Sequence, residues 1–174
     1  MKRALTVGKS LAWVMGLMGF AHASSAQITD KVSAGDPAGM VALLEVTGYE
    51  PKLDKDDHGD PKISIKVSGY RTTLFFYGCD EKLHTGCDAI QLQASFDRKD
   101  AWPPKEALQV ARKWRYAAVW LDDEGDPVVT FDIITGDGIP AKVFLAGIKG
   151  FGDSFEEVAD MVFPADGSQN TVKD

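Results

Sequence analysis

Two stretches of this chain alternate residue by residue. Ile63, Ile65 and Val67 are separated by Ser64 and Lys66, and Ile90, Leu92, Ala94 and Phe96 by Gln91, Gln93 and Ser95. A period of two puts the apolar side chains on one face of a strand and the polar ones on the other. A sheet that is dry on one face and wet on the other favours antiparallel pairing over a parallel sheet buried on both. Whatever covers the dry face must bring an apolar stripe of its own. The C-terminal region has one: Phe144, Ile148, Phe151, Phe155, Val158 and Val162 recur at helical spacing. Gly147, Gly150 and Gly152 lie inside it, each expected to cost about 1 kcal/mol against alanine. Ser154-Phe155-Glu156-Glu157 also reads as a capping box. The helix is therefore expected to kink or restart near Gly152, and the unbroken phase of the stripe favours one kinked helix.

The other elements follow from local signals. Asp36 can cap a helix that Pro37 opens, with Met40, Val41, Leu43 and Leu44 as its apolar face and Gly48 at its end. Residues 49–54 read as strand-poor. Gly69 interrupts the strand run, and Thr72 to Tyr77 continues it as a more fully apolar strand. Trp102-Pro103-Pro104 starts a second helix, along which Ala107, Leu108, Ala111 and Trp114 recur. Tyr116 to Leu121 and Val128 to Ile134 read as the last two strands. The expected fold class is α+β, in the order α-β-β-β-α-β-β-α, with helices packed on one face of an antiparallel sheet of about five to six strands. The domain is expected over 36–163, with 27–35 flexible and the polar tail 164–174 disordered.

The first segment reads as an address rather than as structure. Lys2, Arg3 and Lys9 precede the apolar run Leu11 to Ala23, and small residues follow. That is the pattern of a signal peptide over 1–26, cleaved after Ala23 or after Ala26. The run is short of the roughly 20 residues that a membrane span requires, so no stable membrane anchor is expected after cleavage. The expected location is periplasmic or secreted. Cleavage removes three positive charges and no negative ones, so the exported domain is more acidic than the whole-chain net charge of −7.

That charge excludes sequence-independent nucleic-acid binding, which needs a basic surface to neutralise phosphates. Composition also excludes wholesale disorder, since 44% of the residues are hydrophobic and 26% charged. Two cysteines cannot make a four-cysteine zinc site. In an export compartment Cys79 and Cys87 are expected to pair, stapling the polar loop between two strands. The alternative is a metal site built from Cys79, His84 and Cys87, which would lack a fourth ligand. No Cys-x-x-Cys is present to suggest redox chemistry.

The chain also repeats itself. Asp56-Asp57-His58-Gly59-Asp60-Pro61 is echoed by Asp122-Asp123-Glu124-Gly125-Asp126-Pro127, and an apolar, β-prone run follows each. Both read as hairpin turns, with glycine at a positive φ and proline opening the next strand. The competing reading is a calcium loop with Asp122, Asp123, Glu124 and Asp126 as ligands. The spacing lacks the D-x-D-x-D-G pattern and the twelfth-position glutamate, which favours turns. His58 reads as a turn residue.

Signals for catalysis are sparse. A nucleophilic Ser, Cys or Thr needs a base beside it, and outside the leader the histidines are His58 and His84, both in loops. There is no G-x-S-x-G elbow, phosphate loop or dinucleotide fingerprint. Asp132 is framed by Phe131 and Ile133, but alternation turns it toward solvent. No catalytic residues and no cofactors are expected.

Gly69-Tyr70, Phe75-Phe76-Tyr77-Gly78-Cys79, Ile90-Gln91 with Ser95-Phe96-Asp97, Trp114 at a helix end, and the run Leu121 to Pro127 together resemble the YbjN-domain proteins, bacterial sensory transduction regulators. The resemblance covers roughly Met40 to Phe163. It implies the same helix and strand order, in a topology similar to type III secretion chaperones, small acidic proteins that often dimerise and hold polypeptides. An export signal departs from a cytosolic chaperone role. The resulting expectation is a non-enzymatic periplasmic module that binds a protein or peptide, or a homodimer partner, in a regulatory or chaperone-like role. Phe144, Ile148, Phe151 and Phe155 are the candidate dimer or partner face, although helix-on-sheet packing explains them equally well. The alternatives are a small-ligand or divalent-metal sensor using the acidic loops, and a hydrolase whose site is invisible in sequence.

Overall fold

The structure is a computed structural model that describes residues 30–164 and the backbone of 171–172. In chain order the elements are β1 (Lys31–Val32), α1 (Pro37–Val46), β2 (Lys52–Lys55), β3 (Pro61–Val67), β4 (Tyr70–Tyr77), β5 (Ala89–Asp97), α2 (Pro104–Lys113), β6 (Ala118–Leu121), β7 (Pro127–Ile134), β8 (Ile139–Pro140), α3 (Ala141–Val162) and β9 (Thr171–Val172). The main sheet runs β2-β3-β4-β5-β7-β6, with every neighbouring pair antiparallel. This is the α+β arrangement that the alternation demands. Among the described residues, no helix is long and apolar enough to cross a membrane.

Register sorts the side chains into two faces. Ile63 lies opposite Leu74, Leu74 opposite Leu92, and Leu92 opposite Phe131. The first three are fully buried. The next row, Ser64, Thr73, Gln93 and Thr130, points the other way. The apolar face is closed by the buried side of α3, where Phe144, Ile148, Phe151 and Val158 have no exposed surface. Fully burying one such side chain is worth about 1.5–3 kcal/mol. That burial corrects one expectation: Phe144, Ile148, Phe151 and Phe155 face this chain's own sheet and leave nothing for a partner.

Helix α3 runs unbroken through its three glycines, and Ser154 is buried within it rather than restarting it. Close packing accounts for the glycines. A Cβ on Gly147 would lie 2.9 Å from Ile133 Cδ1, and one on Gly150 would lie 2.8 Å from the Tyr116 ring. The helix gives up propensity there to bring its neighbours closer.

Other expectations shift. Lys52–Lys55 is an exposed edge strand, antiparallel to β3, where a strand-poor piece was expected. Its alternation is invisible because both of its faces are wet. The described part of 27–35 is ordered rather than flexible. Lys31–Val32 pairs with Ile139–Pro140, Val32 and Ala34 are buried, and Ala34 N–H donates to Thr135 Oγ1 at 2.8 Å. Thr171–Val172 lies against Phe96 and Asp97 at the end of β5, where the sequence predicts disorder. The leader, 1–26, lies outside the described residues. On α2 the buried position is Val110, and Leu108 is 70% exposed, so the helix is rotated from the expected face.

Candidate functional site

The two echoed turns are the same object. In the first, Asp56 Oδ1 accepts the N–H groups of His58 and Asp60, both at 2.9 Å. In the second, Asp122 Oδ1 accepts those of Glu124 at 3.1 Å and Asp126 at 2.8 Å. Gly59 N–H bonds Asp56 O, and Gly125 N–H bonds Asp122 O. Both glycines have positive φ, 95° and 82°, which explains their identity. The carboxylates proposed as calcium ligands at Asp122 and Asp126 thus serve as acceptors for backbone N–H groups. No three His, Cys, Asp or Glu side chains among the described residues form a group that could hold a metal ion.

The fifth residue of each turn reaches out to a neighbouring loop. Asp126 Oδ1 accepts from Arg98 N–H at 2.9 Å, and Asp60 Oδ1 lies 2.8 Å from His84 Nδ1. His84 belongs to the loop closed by Cys79 and Cys87, whose sulfurs are at bonding distance, 2.09 Å. The histidine therefore faces a carboxylate rather than a hydroxyl or thiol, and each cysteine is occupied by the other.

This end of the sheet is stitched further. Thr135 N–H and Gly136 N–H both donate to Asp88 O at 2.8 Å, and Ser33 Oγ donates to Gly136 O at 2.8 Å. Beside the stitched loops lies a recess of about 580 Å³ between β7 and the first turns of α3. Its walls include Tyr116, Phe131, Ile133, Ile139 and Val143, with Ile134 on the rim. Tyr116, Val143 and Ile134 are 42%, 51% and 78% exposed. Large apolar side chains are thus grouped on one exposed part of the surface.

The recess exists because β6 is short. The sequence predicts a strand from Tyr116, but the chain bends at Arg115 and Tyr116, and pairing begins at Ala118. The Tyr116 ring instead packs edge-on against Phe131 at 5.1 Å and against the bare backbone of Gly150. Phe131 to Ile134 therefore pair with β5 on one side and lie beyond the reach of β6 on the other.

The face of the sheet opposite the helices carries a smaller, polar trough of about 370 Å³, with Lys62, Arg71, Thr73, Phe75 and Gln93 in its lining. Asp132 lies on this face, exposed as alternation predicts, and accepts from Gln91 Nε2 at 2.9 Å. Partial burial, then Asp132 and Asp56, hold the Tyr77 hydroxyl above its usual 10.0. That corner of the face is acidic.

Sequence reasoning missed Tyr116, Ile134 and Val143 as site residues. A usable signal was present: Ile134 follows Ile133 directly in an alternating strand, and Val143 lies off the buried stripe of α3.

A family model described as "Putative bacterial sensory transduction regulator", YbjN, matches residues 36–165. Among solved structures, the chain is similar to the crystal structure of an uncharacterized protein from Methanothermobacter thermautotrophicus. The two share 15% identity over 74% of this chain and 96% of that one, with a TM-score of 0.53, which is a likeness of fold. No curated protein matches the chain.

Proposed function

Because the chain belongs to the YbjN family, we propose that it is a non-enzymatic regulatory module that works by holding a protein or peptide partner. The observation that carries this reading is the exposed apolar recess walled by Tyr116, Ile139 and Val143. The regulator description of the family supports it. So does the engagement of His84 with Asp60 and of Cys79 with Cys87, which leaves those groups without a catalytic arrangement. The small-ligand or metal-sensor alternative draws no comparable support, since the Asp122 carboxylate is bonded within the turn and that of Asp126 to the Arg98 N–H.

We further propose that the chain is exported. The leader pattern and a cysteine pair at bonding distance both support an oxidising compartment. Thiol titration of protein unfolded directly from the cell envelope should find no free thiol, and two per chain would remove this reading.

The docking reading is tested by a photo-crosslinking amino acid at Val143 in living cells, with Leu53 on the far edge strand as the control. The expected result is one defined polypeptide adduct from Val143 and none from Leu53. Equal labelling, or none, would sink it.

A further inference from the structure

The recess and a side of β7 that no strand among the described residues pairs meet at the same four residues. Phe131, Asp132, Ile133 and Ile134 are hydrogen-bonded into the sheet through β5 on one side. On the other side β6 stops opposite Thr130. In a strand paired on one side only, alternate residues present backbone N–H and C=O groups outward, which is a template for a further strand.

We propose that a short extended segment of another polypeptide adds to β7 here, in line with β6, and that it carries apolar residues on either side of a lysine or arginine. This rests on the docking reading above and specifies its occupant. Directly opposed residues in an antiparallel pair share a face. The positions opposite Phe131 and Ile133 therefore point toward the recess walled by Tyr116, Ile139 and Val143, and require apolar side chains. The position between them lies opposite Asp132, on the bare polar face. There the carboxylate of Asp132 favours a cation, as does the net charge of −7. Lys142 lines the same recess but extends from α3, on the helix-covered face. The backbone ladder provides attraction and the alternating side chains provide selectivity.

The same rules disfavour a second copy as occupant. A two-fold pairing of β7 with itself that keeps the faces matched sets Asp132 opposite Asp132, or else Asp132 opposite Ile134. The first places like charges together and the second an acid against an apolar side chain.

The test titrates the isotope-labelled protein with a capped peptide whose core is Val-Lys-Val flanked by threonines. Its partners are the Val-Glu-Val analogue and a version N-methylated at the core amides. The expected result is that the amides of Phe131 to Ile134 shift, and that the lysine peptide binds about tenfold more tightly than the glutamate peptide. The N-methylated peptide should lose about tenfold. Asp132→Lys, a substitution at an exposed position, should reverse the charge preference. Equal binding of the N-methylated peptide would overturn strand addition while leaving docking in the recess intact. So would silence of all three peptides while the Val143 crosslink persists. Self-association abolished by Ile134→Lys would assign the edge to a second copy, and a crosslink from Val143 into residues 1–29 of the same chain would assign it to the chain itself. Either would overturn the proposal.

Discussion

Asp60 Oδ1 lies 2.8 Å from His84 Nδ1, tying the loop between the two cysteines to the turn that joins β2 and β3. The loop is thus fastened twice, once covalently and once through a polar pair that is about a quarter to a third exposed. His84 itself adopts a left-handed φ of 53° to make the contact.

Replacing both cysteines by serine should cost about 2.5 kcal/mol, the loop-closure entropy of a short loop. Asp60→Ala alone should cost about 0.5 kcal/mol, since a pair a quarter to a third exposed is partly screened by water. The two losses should not add, because without the covalent link the polar pair restrains a larger loop entropy. Urea unfolding of the single, double and combined variants measures this, and strict additivity would contradict the shared role.

Acid should loosen the same loop from within. Hydrogen bonds from the N–H groups of Leu83 and Lys82 lower the pKa of Asp80 below its usual 3.8. A carboxyl lowered in the folded state contributes stability above its unfolded value, and that contribution disappears as pH falls through the folded value. The protection of the Lys82 and Leu83 amides, measured against their intrinsic exchange rates, should therefore be highest at neutral pH and fall below the ordinary carboxylate range. Asp80→Asn should weaken that dependence.

The paired turns allow a ranking. Asp122→Ala leaves the N–H groups of Glu124 and Asp126 without their acceptor, and Asp126 is only 3% exposed. Asp56→Ala does the same to His58 and Asp60, where Asp60 can recover water more easily. Leaving a buried donor unsatisfied costs about 1–3 kcal/mol, so Asp122→Ala should sit at the upper end and Asp56→Ala at the lower. Thermal unfolding of the two variants decides the order.

Gly150→Ala should destabilise despite improving helix propensity. The gain is about 1 kcal/mol, against roughly 1–3 kcal/mol for forcing a methyl into the Tyr116 ring. In a Tyr116→Ala background the same change should become stabilising, because the obstruction is gone. Chemical denaturation of the four-member cycle reads the sign change directly.

The sheet's dry face was legible because Ile63, Ile65, Leu92 and Phe96 alternate with polar neighbours, and the α3 stripe because its period is helical. Both are properties of burial on one side. Lys52–Lys55 was not legible, since an edge strand wet on both faces carries no alternation. The recess was hidden for a different reason. Tyr116 is as good a strand residue as Val119, and local sequence does not reveal that its ring is drawn off the strand by a glycine on another element. The echo is legible as a pair of turns from its Asp, Gly and Pro positions, whereas the outward reach of its fifth residue depends on loops distant in sequence.

Each of those hexapeptides is closed by the carboxylate of its first residue, while the carboxylate of its fifth meets a neighbouring loop. One sits at the Tyr77 and Ala89 end of the sheet and the other at the opposite end, near Ser95. The two flanking pairs, β2 with β3 and β6 with β7, carry different side chains, yet the turn keeps the same hydrogen bonds in both. It is therefore transplantable. Grafted onto an unrelated antiparallel pair, it should carry both its shape and its outward-reaching carboxylate for gripping an adjacent loop.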